Sequence, residues 1–551
     1  MESFASRVWV AIPARGGSVG IPRKNVYSVA GHPLISYTIR TALAVLPAER
    51  VVVITDDDEI AEVAEFYGSR VIRETVKTPS QETLDVKILR NLDNFERFGA
   101  NDGDYILTMQ PTSPLLKSER IAEAVDLLDS GRASVLTVSP DQHLRWGLSA
   151  AGEPEPHFTT RVNRQQLPME YRESGGIIGA RLGDIRAQGT RVISPVGLIP
   201  LDDAESIDID AYADLFAAEH LLTRMKVVIR CDAAASLGLG HVYRALAMSY
   251  VLGRHELVLV TSSDKPLGAE VISHTPFTNV EVSSDADFVR LVGEVQPDLV
   301  IMDILDTHAS QISSIRVASP KTRIVTFEDS GSGAHEADLL VSEFLTVPGV
   351  SKQIGGIENA ILSPSFETLP RVSEFSERVG TVLVLFGGTD PSHLAVRALD
   401  ALQAADFTGR VVVARGLGAE PIDASNYTLD LTIHTHVANM ARLMSEADLA
   451  FTSAGRTVIE LAATGVPSIC LAQNDKEMTH NHATASNGVM MLGLGRETAD
   501  ETIVEALKTM LTDSTRRREF RQAALNATAT RSNMRVMNHV LDLAGLHHAI
   551  Q

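Results

Sequence analysis

The stretch VWVAIPARGGSVGIPRKN, Val8 to Asn25, joins a short apolar run to a glycine-rich polar one. An apolar run of this length, Val8 to Ile12, reads as a strand buried on both faces of a parallel sheet. Behind it, Gly16, Gly17, Ser18 and Gly20 let backbone N–H groups approach an anion closely, while the cations Arg15, Arg23 and Lys24 balance a polyphosphate. The glycines are not followed by Gly-Lys-Ser/Thr, so the stretch is not a Walker A loop. The plainer alternative is a strand and glycine turn that carry surface cations.

Outward from this stretch, strand-like runs recur at Val51–Thr55, Tyr105–Met109, Ala133–Val138 and Gly176–Ala180, with helix-like segments such as Pro33–Leu46 and Ser118–Leu128 between them. The alternation predicts an α/β fold with a mostly parallel, Rossmann-like sheet. Ligands of such sheets sit at the carboxyl ends of the strands. There the sequence places Asp56-Asp57-Asp58, and Gln110-Pro111-Thr112-Ser113-Pro114. Arg161 and Arg172 are candidates for bidentate pairing with a substrate carboxylate; surface arginine is the commoner explanation. Asp208 and Asp210, in SIDIDAYADL, alternate along a segment read as extended, which turns both carboxylates to one side and suits Mg²⁺ shared with substrate phosphates. Asp214 is read as capping the following helix.

The first loop, the QPTSPL block, YRESGGIIG (171–179) and the IDID string together resemble the cytidylyltransferases that activate nonulosonic (sialic-type) acids, over about the first 220 residues. The resemblance implies CTP and a nonulosonic acid as substrates, Mg²⁺ as cofactor, and Asn25 and Gln110 among the binding residues, with Gln110 facing the sugar acid. It also implies that the anomeric hydroxyl attacks the α-phosphate of CTP, with Arg15, Arg23 and Lys24 stabilising the departing pyrophosphate. Two departures stand out. Val19 occupies a position where the family usually has Lys, and residues 73–85, RETVKTPSQETLD, lack the usual R-P-x2-L-x2-D block.

A second protein-like sequence follows a seam at HLLTRMKVVIRCD, residues 220–232, giving expected divisions at 1–224, 225–370 and 371–551. Strand, glycine loop and helix are read in Arg230-Cys231-Asp232 through Gly238-Leu239-Gly240-His241-Val242-Tyr243-Arg244. The R-x-D-x5-G-x-G-H-x2-R string resembles the UDP-sugar hydrolase of pseudaminic acid biosynthesis, a relative of the GT-B glycosyltransferases. It implies that His241 lies at the anomeric centre and that Asp232, Gly238, Gly240 and Arg244 line the ligand. Histidine suits the activation of water because its pKa lies near neutrality. Further on, Gly387-Gly388 and Ser453-Ala454-Gly455-Arg456-Thr457 are phosphate-friendly turns, Glu460 is placed to accept from ribose hydroxyls, and Asn474 opens a polar segment, NDKEMTHNH. Arg456 departs from the family's Gly-Gly-Ser-Thr turn.

The 551 residues exceed one ordinary core and suggest roughly three or four units at about 150 residues each. A formal net charge of −21 argues against general nucleic-acid binding, and two distant cysteines argue against a disulfide framework. Without a run long enough for a membrane span, a cytoplasmic enzyme is expected, with no membrane partner and a homo-oligomeric assembly. The leading expectation is a bifunctional enzyme: CMP transfer to a sialic-type acid, pseudaminic acid favoured, and hydrolysis of a UDP-linked diacetamido-trideoxy sugar. Its alternatives are a true GT-B glycosyltransferase in the second half, or a degenerate nucleotide-binding module in the first.

Overall fold

The chain divides into two units, Met1–Thr223 and Arg224–Gln551. The computed structural model describes residues 5–18, 20–74, 82–234, 239–344, 346–368, 375–388, 390–416, 418–435, 437 and 439–546. Val19, Gly238 and most of the 73–85 block therefore lie outside the described residues.

The first unit is built on strands β1 (Val8–Pro13), β2 (Val51–Thr55), β3 (Arg70–Arg73), β4 (Tyr105–Thr108), β5 (Ser134–Asp141), β6 (Glu170–Arg181) and β7 (Val196–Pro200). Their order is β7-β5-β6-β4-β1-β2-β3. The pairs are parallel except where β6 runs antiparallel between β4 and β5. Alternate side chains of a strand face opposite sides of its sheet. Val8, Val10 and Ile12 accordingly join one apolar cluster with Ile35, Ile39 and Ala42 of helix α1 (Leu34–Leu43), whereas Trp9 and Ala11 join another with Ile88, Leu92 and Phe95 of a helix beneath. This is why β1 reads as uninterrupted hydrophobic sequence: helices cover both faces.

The second unit contains two all-parallel sheets. The first comprises β8 (Lys226–Cys231), β9 (Glu256–Ser262), β10 (Asn279–Val282), β11 (Leu299–Asp303), β12 (Arg323–Phe327), β13 (Leu339–Ser342) and β14 (Gln353–Gly355), ordered β10-β9-β8-β11-β12-β13-β14. The second comprises β15 (Thr381–Leu385), β16 (Arg410–Ala414), β17 (Asp430–His434), β18 (Leu449–Thr452), β19 (Ser468–Ala472) and β20 (Val489–Leu494), ordered β17-β16-β15-β18-β19-β20. Each is a doubly wound sheet whose direction of travel reverses beside its first strand, and the crevice at that reversal is the natural ligand position. It falls between β8 and β11 in one sheet and between β15 and β18 in the other.

The final helix, α2 (Asn533–Leu543), leaves the sheet that precedes it in sequence. Its Val536, Met537, Val540 and Leu541 are buried with Val227, Ile229 and Leu339 of the earlier sheet. The expected 371–551 division is thus corrected at its end, because the apolar face of α2 belongs to the core of the earlier subdomain. Phe344, Ile357 and Leu362 pack with Ile459, Ala462 and Ala524, so an apolar seam joins the two subdomains.

Candidate functional site

In the first unit, three segments distant in sequence meet at the carboxyl ends of β1 and β4. Gly16 donates its N–H to Asp56 Oδ1 at 3.0 Å. Buried Asn25 braces the loop from inside, with Nδ2 donating to the Arg15 carbonyl at 3.0 Å. Lys24 Nζ reaches the Ile209 carbonyl at 2.6 Å and Asp210 Oδ1 at 3.1 Å. Gly20 is required here: a Cβ at this position would stand 2.5 Å from the Asp210 carbonyl oxygen. Ile209 in turn donates its N–H to the Thr112 carbonyl at 2.8 Å, which brings the QPTSP block to the same place.

The carboxylates differ from the expected arrangement. Residues 206–210 form an irregular loop rather than an extended strand, with Asp208 half-buried and Asp210 exposed. Burial, with Asp210 nearby, pushes the Asp208 carboxyl up, against the pull of the Thr112 hydroxyl, Lys24 and Arg172. Asp208 Oδ1 and Ser206 Oγ are buried without a hydrogen-bond partner among the described residues, and the buried Thr112 hydroxyl has the Asp208 carboxyl beside it. Buried polar atoms normally find partners. Unsatisfied oxygens beside a carboxylate of raised pKa fit a hard cation that takes oxygen ligands. Asp214 caps the next helix as expected, accepting from the N–H groups of Asp210 and Ala211.

In the second unit, the crevice beside β8 holds a linked cluster. His241 and Arg244 lie on the first turns of helix α3 (Gly240–Val251). His241 Nδ1 is 2.7 Å from Asp303 Oδ1, at the end of β11. Arg244 donates to both oxygens of the same carboxylate, from Nε at 2.8 Å and Nη2 at 2.6 Å. Burial alone would raise the Asp303 carboxyl; Arg244 and His241 outweigh it and hold it at about 2. A carboxylate at Nδ1 fixes the proton there and leaves Nε2 as the proton acceptor.

Comparison with known proteins follows this division. The Cytidylyltransferase family matches residues 9–142, and the Glycosyltransferase family 28 C-terminal domain matches residues 382–536. The chain is 34% identical over 225 residues to the CMP-N,N'-diacetyllegionaminic acid synthase of Legionella pneumophila, covering 39% of this chain and 96% of that protein. Through its first unit, the chain belongs to the cytidylyltransferases. It is also 25% identical over 300 residues to the spore coat polysaccharide biosynthesis protein SpsG of Bacillus subtilis, covering 51% of this chain and 87% of that protein. A third relative, protein MJ1062 of Methanocaldococcus jannaschii, is 27% identical over 277 residues, 46% of this chain; the chain spans 56% of its length.

Within the cytidylyltransferase unit, Arg15, Gly16, Gly17, Ser18 and Lys24 stand on the loop after β1, while Arg23 is turned elsewhere. Its guanidinium pairs with Asp57 and Glu59, which raise its pKa. Gln110 lies against β6, since a Cβ on Gly175 would meet its Nε2 at 2.9 Å. Arg172 is exposed, near enough to lower Asp208 electrostatically; Arg161 is exposed in the loop before Arg164.

Several expected ligands in the second unit have internal partners instead. Asp232 is buried, accepting from the Ser262 N–H at 3.0 Å and pairing with Lys265 at 2.9 Å, so it braces the neighbouring loop. Arg244, 1% exposed, has its charge committed to Asp303. Asn474 caps a short helix through Oδ1, which accepts from the Glu477 N–H at 3.0 Å. Gly240 begins α3; Gly387 and Gly388 follow β15, with Gly387 at φ +82. Gly455 precedes the helix opened by Thr457, and half-buried Glu460 lies on its first turn, its carboxyl raised by burial. Glu328 and Glu343 carried no motif and emerge only from the packing.

Proposed function

We propose that the first unit transfers CMP from CTP to a nonulosonic acid, and that the second cleaves a UDP-linked diacetamido-trideoxy sugar with water. The convergence of the Gly16–Lys24 loop, Thr112 and the two aspartates supports the first activity. The sugar acid's anomeric hydroxyl gives its proton to solvent as its oxygen bonds to the α-phosphorus, the bond from that phosphorus to the bridging oxygen breaks, and pyrophosphate leaves. Arg15 and Lys24 supply charge stabilisation at the loop. Asp208 and Asp210 would hold Mg²⁺, which when bound would neutralise phosphate charge. Pseudaminic acid is the favoured acceptor; the name of the Legionella relative makes its legionaminic counterpart the second.

The His241–Asp303 pair supports the second activity. Nε2 takes a proton from water as its oxygen bonds to the anomeric carbon and UDP departs, with Asp303 stabilising the imidazolium. The family 28 match favours one other reading, in which an alcohol replaces water.

The experiment is pyrophosphate release from CTP and Mg²⁺ with pseudaminic, legionaminic and N-acetylneuraminic acids offered in turn, run beside UDP release from the UDP-sugar without an acceptor. Turnover in both assays supports the bifunctional reading. Silence of the first, with CTP still bound, leaves a nucleotide-binding module; UDP release only after an alcohol is added makes the second unit a transferase.

A further inference from the structure

The His241 cluster continues beyond Asp303. Arg244 Nη1 makes no hydrogen bond among the described residues, yet stands 3.4 Å from Glu343 Oε2 and 3.6 Å from Glu328 Oε1. Glu343 is 0% exposed and follows β13. Its Oε1 accepts from the Ile361 N–H at 3.0 Å, and its Oε2 accepts from Nη1 of Arg456. The other fork of Arg456 donates to the Ile361 carbonyl. Arg456 sits at the N-terminus of the helix Thr457–Thr464, where a phosphate-binding role was available to it, but its guanidinium is directed onto the opposite subdomain. Its stem also covers the start of α3, because a Cβ on Gly240 would lie 3.3 Å from Arg456 Cδ. The result is one continuous charged chain: His241, Asp303, Arg244, Glu343, Arg456.

We propose that Glu343 and Arg456 are positioning residues for His241: they fix the Arg244 guanidinium on Asp303 and so tie the Ser453–Thr457 turn to the imidazole. This rests on His241 being the base of UDP-sugar cleavage. The physical reason is competition for one guanidinium. A fully buried carboxylate needs a cation. With Arg456 in place, Glu343 has its own, and Arg244 remains on Asp303. Without Arg456, Glu343 draws Arg244 away; Asp303, less neutralised, then holds the imidazolium more strongly. Glu328 and Glu343 are the other carboxylates facing Arg244, and Glu460 faces Arg456 and Tyr243.

The test is the titration of His241 in the full chain, followed by NMR of the histidine Cε1–H groups, with the resonance identified by its loss in His241→Asn. Wild type, Arg456→Met, Glu343→Gln and the double variant form the cycle. Arg456→Met is expected to raise the His241 midpoint by about half a pH unit or more. In the Glu343→Gln background the same change is expected to move it by less than a third as much, because the carboxylate that Arg456 neutralises is already gone. Equal shifts in both backgrounds would mean simple long-range electrostatics and overturn the proposal, as would no shift at all. If Arg456→Met does not fold, Arg456→Gln, which also removes the charge but keeps a donor for the Ile361 carbonyl, takes its place with the same criterion. UDP binding to the wild type, measured by calorimetry, is read separately: its absence sinks the UDP-sugar reading, while the ligand-free cycle still decides the positioning role.

Discussion

His241 and Asp303 form a pair whose members fail differently when removed. His241 is 16% exposed at the side chain and lies at the mouth of the crevice, so His241→Asn is expected to keep the fold and lower UDP-sugar cleavage by about 10²–10⁴-fold. Asp303→Asn is expected to lose comparable activity and stability as well, because Arg244 stays buried with its strongest counter-charge gone, at about 3–5 kcal/mol. Turnover and melting temperature measured on both variants separate the two effects. Glu328 tests the same cluster through pH. Burial and the neighbouring Glu343 push its carboxyl up against the pull of Arg244. A carboxyl raised in the folded state binds its proton more tightly there than in the unfolded chain. Its contribution therefore turns unfavourable as pH rises above the ordinary carboxylate range. Glu328→Gln, which stays neutral, is expected to gain stability relative to wild type between pH 5 and pH 8. A melting-temperature difference that stays flat over that interval would place the Glu328 proton elsewhere.

At the scale of elements, the strands were the most legible feature. Val51–Thr55 folds over the residues its apolar run marked, and Val8–Pro13 and Tyr105–Thr108 over theirs to within one residue, because helices on both faces leave no polar positions to blur the boundaries. Arg70–Arg73 was not read: two apolar residues bracketed by arginines are too short a run to mark this edge strand. The antiparallel direction of β6 was also hidden, since side-chain alternation carries no information about strand polarity. Site residues were legible as chemical types but not by their partners. Arg23 and Asp232 are polar residues at strand ends or loops, as ligands are, yet each is held by a contact from elsewhere in its unit, while Asn474 is taken up by capping its own helix. Close approach is what the glycines contribute. Gly20→Ala places a Cβ 2.5 Å from the Asp210 carbonyl, a backbone atom that cannot rotate away. The variant is expected to fold, because the clash is confined to two loops, and to lose more than about tenfold in pyrophosphate release as the aspartate loop shifts. Unchanged release would show that this contact does not set the site.

At the scale of the whole molecule, the apolar clusters show which stretches of chain depend on one another. The clusters of the first unit draw on residues between Val8 and Ala218, and those of the second on residues between Met225 and Ala544. The seam at Thr223 therefore cuts no core, whereas a cut near residue 370 severs one. Helix α2 is where this matters. Val536, Met537, Val540 and Leu541 are each at most 1% exposed in the core built on β8 and β13. Asn533 fixes the start of the helix, its Oδ1 accepting from the Leu362 N–H at 3.0 Å. Burial of aliphatic side chains of this size contributes about 1.5–3 kcal/mol each. Truncation after Arg531 is thus expected to destabilise the subdomain that carries His241, although the deleted residues lie far from it in sequence and beyond the second sheet. The effect should appear as rapid hydrogen exchange in Lys226–Cys231 and Leu339–Ser342, with Thr381–Leu385 and Leu449–Thr452 still protected and CMP transfer by the first unit unchanged. Uniform loss of protection across both sheets would instead make the second unit a single cooperative body, held together by the Phe344–Ala462 seam more strongly than by either core.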